Sequence, residues 1–240
     1  MRQPIRTRPL RVATDLLVTS RWTLVSFIAI VVVLFTGIGL ILIVTGTHAE
    51  QDGSVWEQAS HAVRYFPLAI GIMIPTAFML TELSLGVTRR DFAIGASAFA
   101  LVVGLVMAAL MAGGLLVEGP IFDAIGLEHG FNMNHVAERP DQVELVLLEY
   151  TIAVTAHVLT GWLIGVTYWH TGGVTGTILL PLTVLPGVLV DGTFNTGWVS
   201  GVMEAWEVPA LPTGLGVVVA AAVTLVTAFI NYLLIRRVGV

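Results

Sequence analysis

Six apolar runs dominate the chain, at about 22–46, 65–83, 93–117, 147–169, 174–191 and 213–235. Each approaches or exceeds the roughly 20 residues that cross about 30 Å of hydrocarbon at 1.5 Å per residue. In hydrocarbon no water satisfies the backbone, so every N–H and C=O must be bonded within the protein, and the runs are predicted to be helices. They do not alternate with period two, which argues against a β-barrel. The chain is 56% hydrophobic and 11% charged, whereas a soluble domain carries about a quarter charged residues. The expectation is an all-α, polytopic membrane protein: one transmembrane domain over residues 1–240 with six transmembrane helices.

Arginine placement sets the expected orientation. Arg2, Arg6, Arg8, Arg11 and Arg21 precede the first run, Arg89 and Arg90 lie between the second and third, and Arg236 and Arg237 follow the sixth. With an even number of crossings these segments share one side. The opposite loops hold only Arg64 and Arg139, and most of the acids, including Glu57, Glu118, Glu128, Glu138, Asp141 and Glu204. Both termini are therefore expected in the cytoplasm, and the net charge of −5 conceals a basic inner rim and an acidic outer one. Residues 1–21 form a cytoplasmic leader. Within it, Leu10, Ala13, Leu17 and Ser20 fall on one helical side and Arg11, Asp15 and Thr19 on the other. That pattern predicts an N-terminal interfacial helix; the alternative is a plain extension of the first span. The run behind it exceeds a signal-peptide core, and Thr47-His48-Ala49 is a poor cleavage site, so no cleavage is expected.

Two long segments lie on the acidic side. Residues 118–146, with Gly119, Pro120, Gly126, Gly130 and Pro140, are expected to include a short helix. Residues 192–212 are semi-apolar and carry Trp198 and Trp206, consistent with a re-entrant turn or an interfacial loop. Gly161–Gly165 and Gly197–Gly201 match GxxxG, which permits close helix approach, although 25 glycines make chance matches expected.

The absent chemistry narrows the function. No cysteine means no disulfide and no thiolate metal site. No lysine means no GxxxxGK[ST] phosphate loop. Gly-x-Ser-x-Gly, HExxH and a basic nucleic-acid stripe are also missing, so neither an enzyme nor a nucleic-acid binder is expected. Ionisable residues inside a membrane are functional candidates. Glu149 and His157 in the fourth run, and Asp191 and Asn195 at the outer end of the fifth, are the candidate pathway residues; the plainer alternatives are a Glu149 that reaches water near the outer end and a solvated helix end at Asp191 and Asn195. His157 is equally readable as a packing residue bonded to a neighbouring helix. His129 and His135 lie near Glu128 and Glu138 without a metal-ligand spacing, and no metal is expected.

Between the second and third runs the chain reads LSLGVTRRDF, preceded by Glu82. Gly86 permits a sharp turn, Thr88 is placed to cap the next helix, and Asp91 stands near that helix's positive end. An ordinary positive-inside loop would read similarly. The string resembles the ABC-2-type transporter permease pattern, in which an acid precedes a Gly-x-[ST]-Arg-Arg turn and an aromatic follows. Glu82, Gly86, Thr88, Arg89, Arg90 and Phe92 match it by type and order, and Asp91 lies among them. The overall layout of basic leader, six spans and semi-apolar outer segment is also similar; the outer loop 118–146 is longer than that family leads one to expect.

The resemblance implies the membrane permease subunit of a bacterial ABC exporter in the cytoplasmic membrane. It implies a separate ATP-binding cassette ATPase subunit, with ATP and Mg bound there and no cofactor on this chain. It further implies a second permease copy or paralogue, a path lined by the first, second and fifth spans, and coupling to the ATPase through the 83–92 segment. The alternative is a stand-alone ion-coupled transporter or channel using His157 and Glu149; a membrane sensor working through its acidic outer loops is a third class.

Overall fold

The computed structural model describes residues 8–45 and 53–236. Its helices are α1 (Arg8–Thr45), α2 (Ser60–Met73), α3 (Met79–Ser84), α4 (Arg89–Ala124), α5 (Val143–Phe194), α6 (Gly197–Ala205) and α7 (Thr213–Ile235). A 3-10 turn, Trp56–Ala59, leads into α2, and a π-helical turn, Ile74–Phe78, joins α2 to α3. Pro75 has no N–H to give the helix, and the wide turn falls where that bond is missing. Among the described residues, five stretches are long and apolar enough to cross a membrane: α1, Trp56–Ser84, α4, α5 and α7.

Helix α5 is not one rod. Its 52 residues would extend about 78 Å if straight. Gly172 instead adopts φ 75° and ψ 178°, a conformation open to glycine because it has no Cβ. The chain doubles back there: the Tyr168 and Thr177 hydroxyls lie 3.0 Å apart, and His157 Nε2 lies 3.4 Å from Asp191 Oδ2. Two antiparallel limbs result, 143–171 and 173–194, corresponding to the fourth and fifth apolar runs.

Several sequence expectations are corrected. The leader does not form a separate interfacial helix over the residues described. Arg8 onward belongs to one continuous helix of 38 residues, about 57 Å long. Its packed side is Val12, Ala13, Leu16 and Ser20, while Leu10 is exposed; Pro9 and Val12 lie against Gly95 of α4. The second apolar helix starts before residue 65 and takes in Arg64. No short helix forms within 125–142; α4 instead continues through Pro120 to Ala124. The Trp198 segment contains the short helix α6, with Trp198 and Trp206 exposed. Residues 1–7 and 237–240, and with them the expected positions of the termini, lie outside the described residues.

The core is built where backbones come close. A methyl group at Gly161 would overlap the Leu68 carbonyl, and one at Gly71 would overlap the Val158 carbonyl. The Gly161–Gly165 match is therefore a genuine contact of α5 with α2, as small-residue packing allows. Gly201 has open space around it. Phe99, Met107, Met111 and Trp162 fill the adjoining interior.

The helices bring like charges together at two opposite ends. At one, the start of α1 adjoins the start of α4, and Arg89, Arg90 and Arg236 converge. The α5 bend lies at this end too, since His170 Nε2 is 3.1 Å from the Leu234 carbonyl. At the other end Glu57, Glu118, Glu149 and Asp191 are gathered.

Candidate functional site

The acidic end holds a buried ionic network centred on Arg64. One turn of α2 carries Arg64 inward, and the residue is 1% exposed. Nη2 lies 2.5 Å from Glu149 Oε1 on the first limb of α5. Nη1 lies 3.4 Å from Asp191 Oδ1 on the second limb and also donates to Thr196 Oγ1. The guanidinium sits 5.0 Å from the centre of the Tyr150 ring, a cation–π distance. Three helical segments are thus tied by one side chain. A guanidinium suits this role because its planar fork presents several donors at once.

The network continues from each carboxylate. Tyr65 Oη donates to Asp191 Oδ2 at 3.1 Å, and His157 Nε2 faces the same oxygen at 3.4 Å. His157 Nδ1 lies 2.8 Å from the Ala153 carbonyl; a carbonyl only accepts, so that nitrogen carries a proton. On the other side, His135 Nδ1 lies 2.9 Å from Glu149 Oε1, and its Nε2 lies 2.9 Å from Glu57 Oε1. A ring that donates to two carboxylates is an imidazolium. Burial opposes that charge, but Glu149 and Glu57 outweigh it and hold the His135 pKa above its ordinary value.

Backbone N–H groups complete the site. Glu57 accepts from Asn132 N at 2.6 Å and Met133 N at 2.8 Å, and Glu149 accepts from Val136 N at 2.8 Å. Glu118 accepts from Val55 N and Trp56 N, each at 2.9 Å, and from Ser54 Oγ; His129 Nε2 lies 3.2 Å away. The carboxylates therefore fasten the 125–142 loop and the approach to α2 onto the helix ends.

Of the candidate pathway residues, Glu149, His157 and Asp191 meet in this network, and Asn195 does not. Asn195 has φ 53° and closes α5: its N–H donates to the Gly192 carbonyl, and Thr196 N–H to the Asp191 carbonyl. This is a Schellman ending, in which asparagine tolerates the left-handed position. The histidines of the outer loop find Glu118, Glu57 and Glu149, rather than the nearer Glu128 and Glu138. Arg64 was hidden from sequence reasoning in a supposed loop. A positive charge at the very start of an apolar run, on a side where Arg139 is the only other arginine among many acids, was the available signal.

At the arginine-rich end, α3 stops in a second Schellman ending. Gly86 has φ 83°, its N–H donates to the Leu83 carbonyl at 3.0 Å, and Val87 N–H donates to the Glu82 carbonyl at 3.2 Å. Thr88 then starts α4, its Oγ1 accepting from Asp91 N at 3.1 Å. Glu82 and Asp91 are largely buried, whereas Gly86, Thr88 and Arg90 are exposed. Phe92, the aromatic matched to the family pattern, points inward, fully buried and edge-on to Trp162 at 6.3 Å. One turn into α4, its position falls on the core-facing side. Thr88, Arg89, Arg90 and Arg236 line a cleft of about 520 Å³.

Comparison with protein-family models, curated proteins and solved structures finds no match for this chain.

Proposed function

We propose that this multi-pass membrane protein is the permease subunit of an ATP-driven exporter, coupled to a separate ATPase through the Glu82–Phe92 turn. The observation that carries the reading is the form of that turn. Gly86 and Thr88 set a tight reversal between two membrane-length helical stretches, and Arg89 and Arg90 stand at its tip on the arginine-rich end. Arginine is poorly matched to the positive end of a helix, and Arg90 is exposed to a partner outside this chain. Carboxylates on a docked ATPase would form charge-assisted, partly bidentate pairs with Arg89 and Arg90. Force on the turn passes directly into α4 and, through buried Phe92, to Trp162 of α5.

In this reading the two limbs of α5 each cross the membrane, giving six crossings with the arginine-rich end in the cytoplasm. The membrane is the bacterial cytoplasmic membrane, and a second copy or paralogue packs beside this one. The Arg64 network is a static tie near the outer face. Its charged side chains are almost completely buried and bonded to one another, which favours this role over proton-coupled carriage by His157.

The test is charge reversal at the turn, Arg89→Glu together with Arg90→Glu, after confirming correct insertion, since the same arginines help set orientation. The expected result is loss of ATPase copurification, or ATP hydrolysis uncoupled from export. A correctly inserted double variant that retains a copurifying ATPase and exports normally would exclude coupling through this turn.

A further inference from the structure

We propose that the cavity between α1 and α4 at the acidic end holds one acyl chain of a glycerophospholipid, whose ester carbonyl accepts from Trp56 Nε1. This inference goes beyond the function proposed above and needs only that the chain spans a membrane. The cavity has a volume of about 430 Å³, within the range of small-molecule sites. On α1 its lining runs from Val32 to Ile43, about 16 Å at 1.5 Å per residue. Half of a hydrocarbon core of about 30 Å is about 15 Å. Val32 and Ala109 lie near the middle of the apolar runs of α1 and α4, and Val55, Trp56 and Glu118 lie at the acidic end. The cavity is therefore about as deep as one leaflet and begins at that leaflet's surface. Leu40 and Val117 line it and are exposed, so it opens sideways, where an acyl chain enters from the bilayer.

Glycines leave the space and a tryptophan supplies the polar contact. Gly39 and Gly113 line the cavity, and a Cβ at either would meet no atom within 4 Å. Trp56, 8% exposed, lines the same cavity between Phe35 of α1 and Gly114 of α4. Its Nε1 edge is seated on Gly114 and has no hydrogen-bond partner. A buried indole N–H usually finds an acceptor, and one left without it costs stability. Glu118 is not that acceptor: its oxygens take Ser54 Oγ, Val55 N and Trp56 N. The ester carbonyls of a glycerophospholipid lie where headgroups meet hydrocarbon, the depth at which tryptophan is enriched. A lipid chain seated in the cavity therefore brings an acceptor to the level of Trp56.

The experiment uses the full chain purified in detergent, with lipid retention read by native mass spectrometry. The probes are a diester phosphatidylethanolamine and its diether analogue, which has the same chains and no carbonyl. The wild type is expected to retain one diester lipid about fivefold better than the diether, the worth of one hydrogen bond. Trp56→Phe keeps a ring without the N–H and should erase that preference. Gly39→Leu fills the cavity and should lower retention of both lipids about tenfold, as apolar contact is lost. Gly37→Leu, on the same helix in equally open space but outside the lining, should change neither. Equal retention of the two lipids by the wild type, or undiminished retention by Gly39→Leu, overturns the proposal. If Gly39→Leu keeps its lipid and instead loses a native dimer, the groove belongs to a second copy and the proposal is again overturned. These variants lie outside the Glu82–Phe92 turn, so either failure would leave the ATPase proposal standing.

Discussion

His135 illustrates how much one side chain determines at the acidic end. It is the only described residue placed between Glu57 and Glu149, and it faces Arg64 and Tyr150 as well. Its pKa is raised in the folded protein, so its contribution to stability is full below its ordinary pKa of about 6.5. That contribution is lost as pH rises through the raised folded-state value. Hydrogen exchange at Asn132, Met133 and Val136, whose N–H groups bond Glu57 and Glu149, is expected to be slow in mildly acidic medium. Beyond the intrinsic pH effect on exchange, protection at these amides should fall as pH rises, and His135→Gln should remove the fall. Unchanged pH dependence in the variant would mean that another group holds the loop. Arg64 shows why such a network escapes sequence reading. Its carboxylate partners lie 85 and 127 residues away, and nothing local marks them as partners. Arg64 also immediately precedes the apolar run at 65–83, so its charge reads as part of the loop before it.

At the level of elements, the six apolar runs were legible because hydrocarbon leaves the backbone few choices. The Schellman ending at Gly86 and the cap at Thr88 were legible because they are local. What the sequence did not reveal was continuity. Nothing in the leader's amphipathic pattern distinguishes a separate surface helix from the start of α1, because no glycine or proline lies between Leu10 and Thr36. The burial of Phe92 was not legible either, since an aromatic shortly after two arginines reads equally well as a surface or as a core residue. The GxxxG match at Gly161 could be separated from chance only by finding backbone opposite it. Gly161→Leu is accordingly expected to force α5 away from Leu68, costing about 1–3 kcal/mol as an overpacked contact. Gly201→Leu, in open space, should be nearly neutral. Thermal unfolding of the two variants in detergent checks the contrast; equal losses would count against the close α2–α5 contact.

For the whole molecule, the decisive feature is the separation of its charges into an arginine-rich end and an acidic end, with the α5 limbs running between them. The proposed coupling to an ATPase requires the arginine-rich end to face the cytoplasm and the bend at Gly172 to lie on that side. The native chain has no cysteine, so single cysteines report sidedness cleanly. Asp141 and Glu204 are exposed near the acidic end, and Leu85 and Thr171 are exposed near the other. In intact cells, a membrane-impermeant thiol reagent is expected to label Asp141→Cys and Glu204→Cys. It should reach Leu85→Cys and Thr171→Cys only after lysis. Labelling of Leu85→Cys or Thr171→Cys from outside, in an otherwise folded protein, would contradict the six-crossing arrangement with its arginines in the cytoplasm.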